Sequence, residues 1–265
     1  MNARAIAAHG SMFDTYAGTY PNVVNRAVEL SGEKFEFFIN LRISMMWARL
    51  EHYCPDFNAG SILDFGCGIG ATEKYIRDYF PESLVYGYDT STESIRQAQR
   101  LAVPRAEFMA GDGGPLPYPD GFFKLIYVNG TIHHIDPLER PRALAELKRV
   151  LAPGGAMFIF ENNPLNPLMA RAMRLNPFDE GVSAISVNEM EKLGYAAGFA
   201  VVNRWFYFFF PHFLRRLRRL EKKLEKLPLG AQYCVCFADQ VDYAVLRRGF
   251  SQEIHTRRFH WDHHQ

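Results

Sequence analysis

Apolar residues recur at Phe35, Phe38, Ile39, Ile43, Met46, Trp47 and Leu50, close to the spacing of one helix face. This predicts helical structure over residues 1–57, divided by Pro21 and Gly32 and ended by Pro55. The texture then changes to short apolar runs at 61–65, 84–88, 106–109, 122–128 and 156–161. Amphipathic stretches at 71–79, 91–101 and 137–151 separate them. Thr90 or Ser91 is placed to cap the second stretch, and Pro153-Gly154-Gly155 to end the third. Strand and helix alternating over about a hundred residues predict a parallel sheet covered by helices on both faces.

After Glu161 the alternation is interrupted. Pro164, Pro167 and Pro177 mark residues 162–185 as an irregular insertion. A helix is predicted over 187–198 and an aromatic sixth strand over 200–210. A basic amphipathic helix follows over 212–227. Residues 232–238, with 242–246, supply the final strand. The tail, 249–265, reads as poorly ordered; its His255, His260, His263 and His264 are assigned no function. The organisation is a helical N-terminal lid (1–57), a core (58–248) and this tail. No internal repeat is visible, and the apolar runs at 156–160 and 205–210 are far too short to span a membrane.

Composition narrows the class. Of 265 residues, 48% are apolar and 22% charged, the balance of a globular chain with a sizeable core. Aromatic residues are 14% of the chain, which suggests aromatic surface beyond the needs of a core. A net charge of +1 argues against a dedicated nucleic-acid binder. The four cysteines form no C-x-x-C pair, and they read as reduced thiols in the cytoplasm. The first ten residues lack the apolar core of a signal peptide.

The first strand ends Asp64-Phe65-Gly66-Cys67-Gly68-Ile69-Gly70 and leads into a helix. Such glycines let the backbone turn sharply and approach a ligand, while the helix start offers free N–H groups. A nucleotide is the natural ligand. Gly66, Gly68 and Ala71 satisfy a dinucleotide fingerprint, and Asp89 at the end of the second strand can hold a ribose. The loop alone therefore leaves NAD and S-adenosylmethionine open. Asp64 would repel a pyrophosphate but tolerates an ammonium and a sulfonium. Gly111-Asp112-Gly113 follows the third strand, where an adenine amino group can donate. The run 147–155 then precedes the fifth strand.

Ile62 to Gly70, Gly87-Tyr88-Asp89, Gly111-Asp112, Leu116 to Pro119 with the fourth strand, and Leu147 to Gly155 stand in order over residues 60–160. With these segments the chain resembles a class I S-adenosylmethionine-dependent methyltransferase. The resemblance implies a doubly wound, mostly parallel, Rossmann-like α/β sheet of seven strands, the last antiparallel. It implies that Asp89, with Thr90 beside it, holds the ribose. Asp112 and Gly113 would meet the adenine, and Asp64 with Gly66, Cys67, Gly68 and Gly70 the methionine portion. Asn129 and Gly130 would close on the reacting methyl. Beyond residue 160 the chain is similar to a bacterial subgroup whose acceptors are often unassigned, so no acceptor transfers.

The acceptor side is read from the residues. Thr131-Ile132-His133-His134 follows the fourth strand, at the sheet edge where ligands gather. Either histidine suits a general base for a hydroxyl acceptor, His133 ahead of His134; the alternative is a loop-orienting role. No carboxylate stands at ligand spacing, so no metal is expected. Glu161, Asn162 and Asn163 are candidates to bind substrate, or they cap a turn. Tyr20 is a candidate contact from the lid, where Tyr16 and Asn25 are also polar. The 205–227 stretch has three readings: a solvated helix packed on the sheet, a membrane-peripheral contact, or a dimer or partner interface. The function expected is methyl transfer to an oxygen of a small-molecule or lipid-linked acceptor, by a monomer or homodimer. The rivals are an NAD-dependent oxidoreductase and a non-catalytic protein docking through 205–227.

Overall fold

Seven strands form one sheet in the order β3-β2-β1-β4-β5-β7-β6. The computed structural model describes Asp14, Asn25 and residues 28–54, 57–179 and 181–239. The strands are β1 (Ser61–Phe65), β2 (Leu84–Asp89), β3 (Ala106–Ala110), β4 (Phe123–Asn129), β5 (Leu151–Asn162), β6 (Phe199–Tyr207) and β7 (Gln232–Asp239). The pairs among β1 to β5 are parallel. β7 runs antiparallel between β5 and β6. This is the doubly wound, mostly parallel sheet expected. The order of strands reverses at β1/β4, and in open α/β sheets a ligand crevice opens beyond the strand ends at such a point.

Helices cover both faces. On one lies α1 (Phe35–Tyr53), with Ile43 and Met46 fully buried against Tyr127, Phe158 and Cys234. Side chains of that size each stabilise by about 1.5–3 kcal/mol on full burial. α1 is therefore a core layer rather than a lid, a correction to the sequence expectation for residues 35–53. α2 (Glu73–Tyr79) adds Ile76 to the same face. On the other face α4 (Arg140–Val150) buries Leu144, Leu147 and Val150. α6 (Val187–Ala196) adds Val187 and Met190, its start closed by a Ser186–Glu189 capping box. α3 (Thr92–Arg100) starts at Ser91, whose hydroxyl accepts from Ser94 N–H.

Three elements depart from expectation. α5 (Pro167–Leu175) is helical inside the segment expected to be irregular. Asn166 caps it, and Pro167 sits in the first turn, where its missing N–H costs nothing. β5 begins at Leu151, so Val150 ends α4 directly and Gly154-Gly155 lie within the strand, opposite a register shift between Phe123 and Leu125. The basic stretch is not one α-helix. It is a 3-10 segment (His212–Leu220) with non-helical backbone at Leu214, followed by the one-turn α7 (Glu221–Leu224). All four cysteines are free thiols, and Cys234 and Cys236 pack in the core against α1. Tyr16, Tyr20, residues 242–246 and the tail lie outside the described residues.

Candidate active site

Beyond the carboxyl ends of β1, β2 and β4 lies a cavity of about 530 Å³. Gly66 and Gly68 form its floor, with Asp89 and Thr90 from β2, Gly113 from the loop after β3, and Asn129 and Gly130 from β4. Gly66 has φ +81°, and a Cβ there would fall 2.2 Å from the Thr131 hydroxyl oxygen. Only glycine fits that turn. Gly66 and Cys67 N–H both bond to Tyr88 O, which ties the loop to the end of β2.

The Asp89 carboxylate accepts from Gly68 N–H at 2.9 Å and from Ser91 N–H at 2.8 Å, one on each oxygen. Both oxygens keep acceptor capacity for a pair of ribose hydroxyls. Burial pushes this carboxyl up, against the opposing N–H groups of Ser91, Gly68 and Thr90. Asp14 reaches the same place from the N-terminal segment. Its carboxylate accepts from the Ser91 hydroxyl at 2.7 Å and from Glu93 N–H at 3.0 Å.

The other loop residues act from behind. Asp64, Cys67 and Gly70 do not line this cavity. Gly70 allows close packing against Ala98 of α3. Asp64 is buried with an oxygen that has no hydrogen-bond partner among the described residues. Burial, then Glu73 and Asp89, push the Asp64 carboxyl well up. Glu73 is also fully buried, in the first turn of the helix after the glycine loop. A dinucleotide would place its pyrophosphate at that helix start. Three clustered acidic side chains offer a pyrophosphate no positive partner, and a sulfonium or ammonium beside them would favour their charged forms, so the donor set fits S-adenosylmethionine. Asp112 is exposed and outside the lining; its carboxylate accepts from Gly114 N–H within its own loop.

The acceptor side is built around His133. Its Nδ1 lies 2.5 Å from Glu161 Oε2 and its Nε2 3.4 Å from Asp179 Oδ1. Glu161 also accepts from the N–H groups of Ile132 and His133. Burial works against the charged ring, but Glu161 and Asp179 outweigh it and push the His133 imidazole up to about 10. Both ring nitrogens thus face carboxylates that favour the charged ring, which disfavours His133 as a proton acceptor. This arrangement favours His134 over His133 as the candidate base. His134 lines the cavity beside it, with Nε2 3.8 Å from Asp179 Oδ1. The expected lack of a carboxylate near the pair does not hold: Asp179 lies next to both rings.

Arg140 completes the arrangement by donating to His133 O and Ser183 O. Asp179 and Arg140 so hold the 177–183 stretch, whose Gly181, Val182 and Ser183 line the cavity. Arg142 also lies in the lining. Sequence reasoning missed Asp179, Arg140 and Arg142. Asp179 stands 46 residues from His133 in a stretch without periodicity. The other substrate candidates are spent on structure. Asn163 donates to Pro228 O and Gly230 O, and Asn162 accepts from Gln232. Asn25 accepts from Phe35 N–H at the start of α1.

Comparison with known proteins agrees with this geometry. Residues 62–155 match a family described as a methyltransferase domain. The chain is 30% identical over 110 residues to trans-aconitate 2-methyltransferase of Deinococcus radiodurans, covering 42% of this chain and 41% of that one. It is 35% identical over 128 residues to a probable tRNA methyltransferase 9B of Mus musculus, covering 47% of this chain and 26% of that one. The matches thus span less than half the length of these relatives, whose acceptors differ. Among solved structures, a SAM-dependent methyltransferase from Archaeoglobus fulgidus superposes with a TM-score of 0.55 at 16% identity, covering 77% of this chain and 99% of that one. Residues 62–155 are thus similar to a methyltransferase domain, and the chain shares the fold of a solved SAM-dependent methyltransferase.

Proposed function

We propose that the protein transfers a methyl group from S-adenosylmethionine to an oxygen of a small-molecule or lipid-linked acceptor, with His134 as the proton acceptor. The observation that carries this reading is the contrast between neighbours. Both rings line the cavity, but both nitrogens of His133 face carboxylates, Glu161 Oε2 at 2.5 Å and Asp179 Oδ1 at 3.4 Å, whereas Asp179 Oδ1 stands 3.8 Å from His134 Nε2. S-adenosylmethionine supplies, when bound, a methyl already activated on a sulfonium. Most of the protein's contribution is then positioning, for which about 7–11 kcal/mol is available.

Asp89 would hold the ribose, Gly66 and Gly68 the backbone side of the methionine portion, and Asn129 with Gly130 the methyl end. Asp112 would reach the adenine by turning from its own loop. His134 takes the hydroxyl proton as the oxygen attacks, a role that supplies roughly 10²–10⁴-fold. Arg142 offers a cation to an anionic acceptor. The Asp14 contacts at Ser91 and Glu93 place that carboxylate beside the proposed ribose site.

The test uses methyl-labelled S-adenosylmethionine with a metabolite-rich cell extract, fractionated into small molecules, lipids, RNA and protein. Label is expected in the small-molecule or lipid fraction, with the rate falling about 10²-fold or more in His134→Ala. Label confined to RNA or protein, or a His134→Ala variant with full activity, would overturn the proposal.

A further inference from the structure

β6 ends at Tyr207 and β7 begins at Gln232, two residues paired across the sheet. Gln232 in turn pairs with Asn162 at the carboxyl end of β5. The connection over 208–231 therefore lies along the sheet edge that carries the cavity. How it is attached decides what it is for. Phe208 packs into the core against Phe38, and beyond it the inward contacts are largely polar. Glu221 accepts from the N–H groups of Phe208, Phe209 and Phe210, and Glu225 pairs with Arg49 at 2.7 Å. Arg218 pairs with Glu33 at 2.8 Å and donates to Phe210 O.

Its outward side is apolar and basic. The His212–Leu220 segment buries no residue. Phe213 is 80% exposed and Leu229 61%, with Leu214, Leu217, Leu220 and Leu227 also exposed. This inverts the ordinary surface helix, which turns its apolar stripe inward. A second element extends the patch. Asn163 donates to Pro228 O and Gly230 O, and Asn166 to Leu229 O. These bonds place the start of α5 beside Leu229, where Leu165 and Leu168 are 60% and 73% exposed. Two segments distant in sequence thus present contiguous apolar surface, which marks an interaction face.

Charge selects the partner. The 212–229 segment holds seven basic and two acidic residues, a net +5 in a chain whose total is +1. Its two acids, Glu221 and Glu225, are the inward anchors. The outer face presents leucines, Phe213 and cations such as Arg216, Arg219 and Lys223. We propose that this face, residues 212–229 with the start of α5, docks the protein on an anionic lipid surface. Leucines and Phe213 would enter the headgroup boundary, and the cations would meet lipid phosphates. Docking there brings a membrane to the sheet edge where the acceptor cavity opens.

The experiment is flotation of the full-length protein with vesicles of pure phosphatidylcholine and of phosphatidylcholine with phosphatidylglycerol. Binding is expected to the anionic vesicles only, weakening as salt is raised. Arg216→Glu/Arg219→Glu/Lys223→Glu should weaken it by about tenfold or more. Phe213→Ala/Leu217→Ala, which keeps every charge, should weaken it also. Calorimetric titration with S-adenosylmethionine is expected to be unchanged in both variants, which separates this proposal from the one for the active site. Equal binding to both vesicle types, binding to neither, or full binding by the charge-reversed variant would overturn it. So would a concentration-dependent rise in mass lost in Phe213→Ala/Leu217→Ala without vesicle binding, since the face would then pair two copies of the chain.

Discussion

His133 Nδ1 sits 2.5 Å from Glu161 Oε2, with both side chains almost wholly buried. The pair links the end of β5 to the turn after β4, and through Asp179 it reaches the 177–183 stretch beside the cavity.

The pair makes stability fall with pH in the alkaline range. The folded imidazole, at about 10, lies above its ordinary 6.5. Its stabilisation is complete below about 6.5 and is lost as pH rises through 10. Glu161→Gln should lower stability at pH 7 by roughly 3 kcal/mol, the cost of stranding a buried partner. The loss should shrink toward pH 10. Thermal melts of both proteins from pH 6 to 10.5 test this; a deficit that does not change with pH would contradict the charged pair.

Glu73 has the opposite chemistry but the same sign. Burial pushes its carboxyl from 4.5 up to about 8. The folded state holds its proton while the unfolded chain releases it, so stability declines from about pH 4.5 to 8. Glu73→Gln removes that decline. The variant should match the parent near pH 5 and exceed it at pH 8 by an amount on the order of 1 kcal/mol or more. Equal melting temperatures at pH 8 would contradict the assignment.

Gly66→Ala should abolish cofactor binding and destabilise the fold. The new Cβ meets the Thr131 side chain and the backbone holds a left-handed φ. Roughly 2 kcal/mol or more is expected, from overpacking and strain together. Denaturant unfolding reads the stability and calorimetry the affinity. Relief by a second change, Thr131→Ser, would assign part of the cost to the methyl group.

Asn163→Ala should leave cofactor affinity intact. Its amide holds Pro228 O and Gly230 O, so about 1–3 kcal/mol of stability should be lost. A large loss of cofactor binding with stability unchanged would return Asn163 to the ligand site.

The parts of this molecule legible in sequence were those set by local pattern. The strands from 61 to 161 and the glycine loop follow from short apolar runs and left-handed turns, which neighbours in sequence determine. The 212–227 stretch departs from the single amphipathic α-helix that its 3.6-residue periodicity predicts. Glu221 is instead spent on the Phe208–Phe210 amides, and Leu214 breaks the helical backbone. α5 was missed because Pro167 was weighed as a breaker, although in a first turn it favours a helix. The His133–Asp179 contact had no sequence signal at all, since it joins a turn to an insertion through tertiary folding. Sequence alone therefore offers His133 as a base, whereas its carboxylate partners favour its charged form.

The central claim is that the glycine loop and Asp89 form a site for an adenosyl sulfonium rather than a dinucleotide. Parallel calorimetric titrations with S-adenosylmethionine, S-adenosylhomocysteine and NADH test it most directly. Binding of both adenosyl compounds and none of NADH is expected, with Asp89→Ala weakening the former at least about tenfold. Binding of NADH alone, or an Asp89→Ala variant with unchanged affinity, would contradict it.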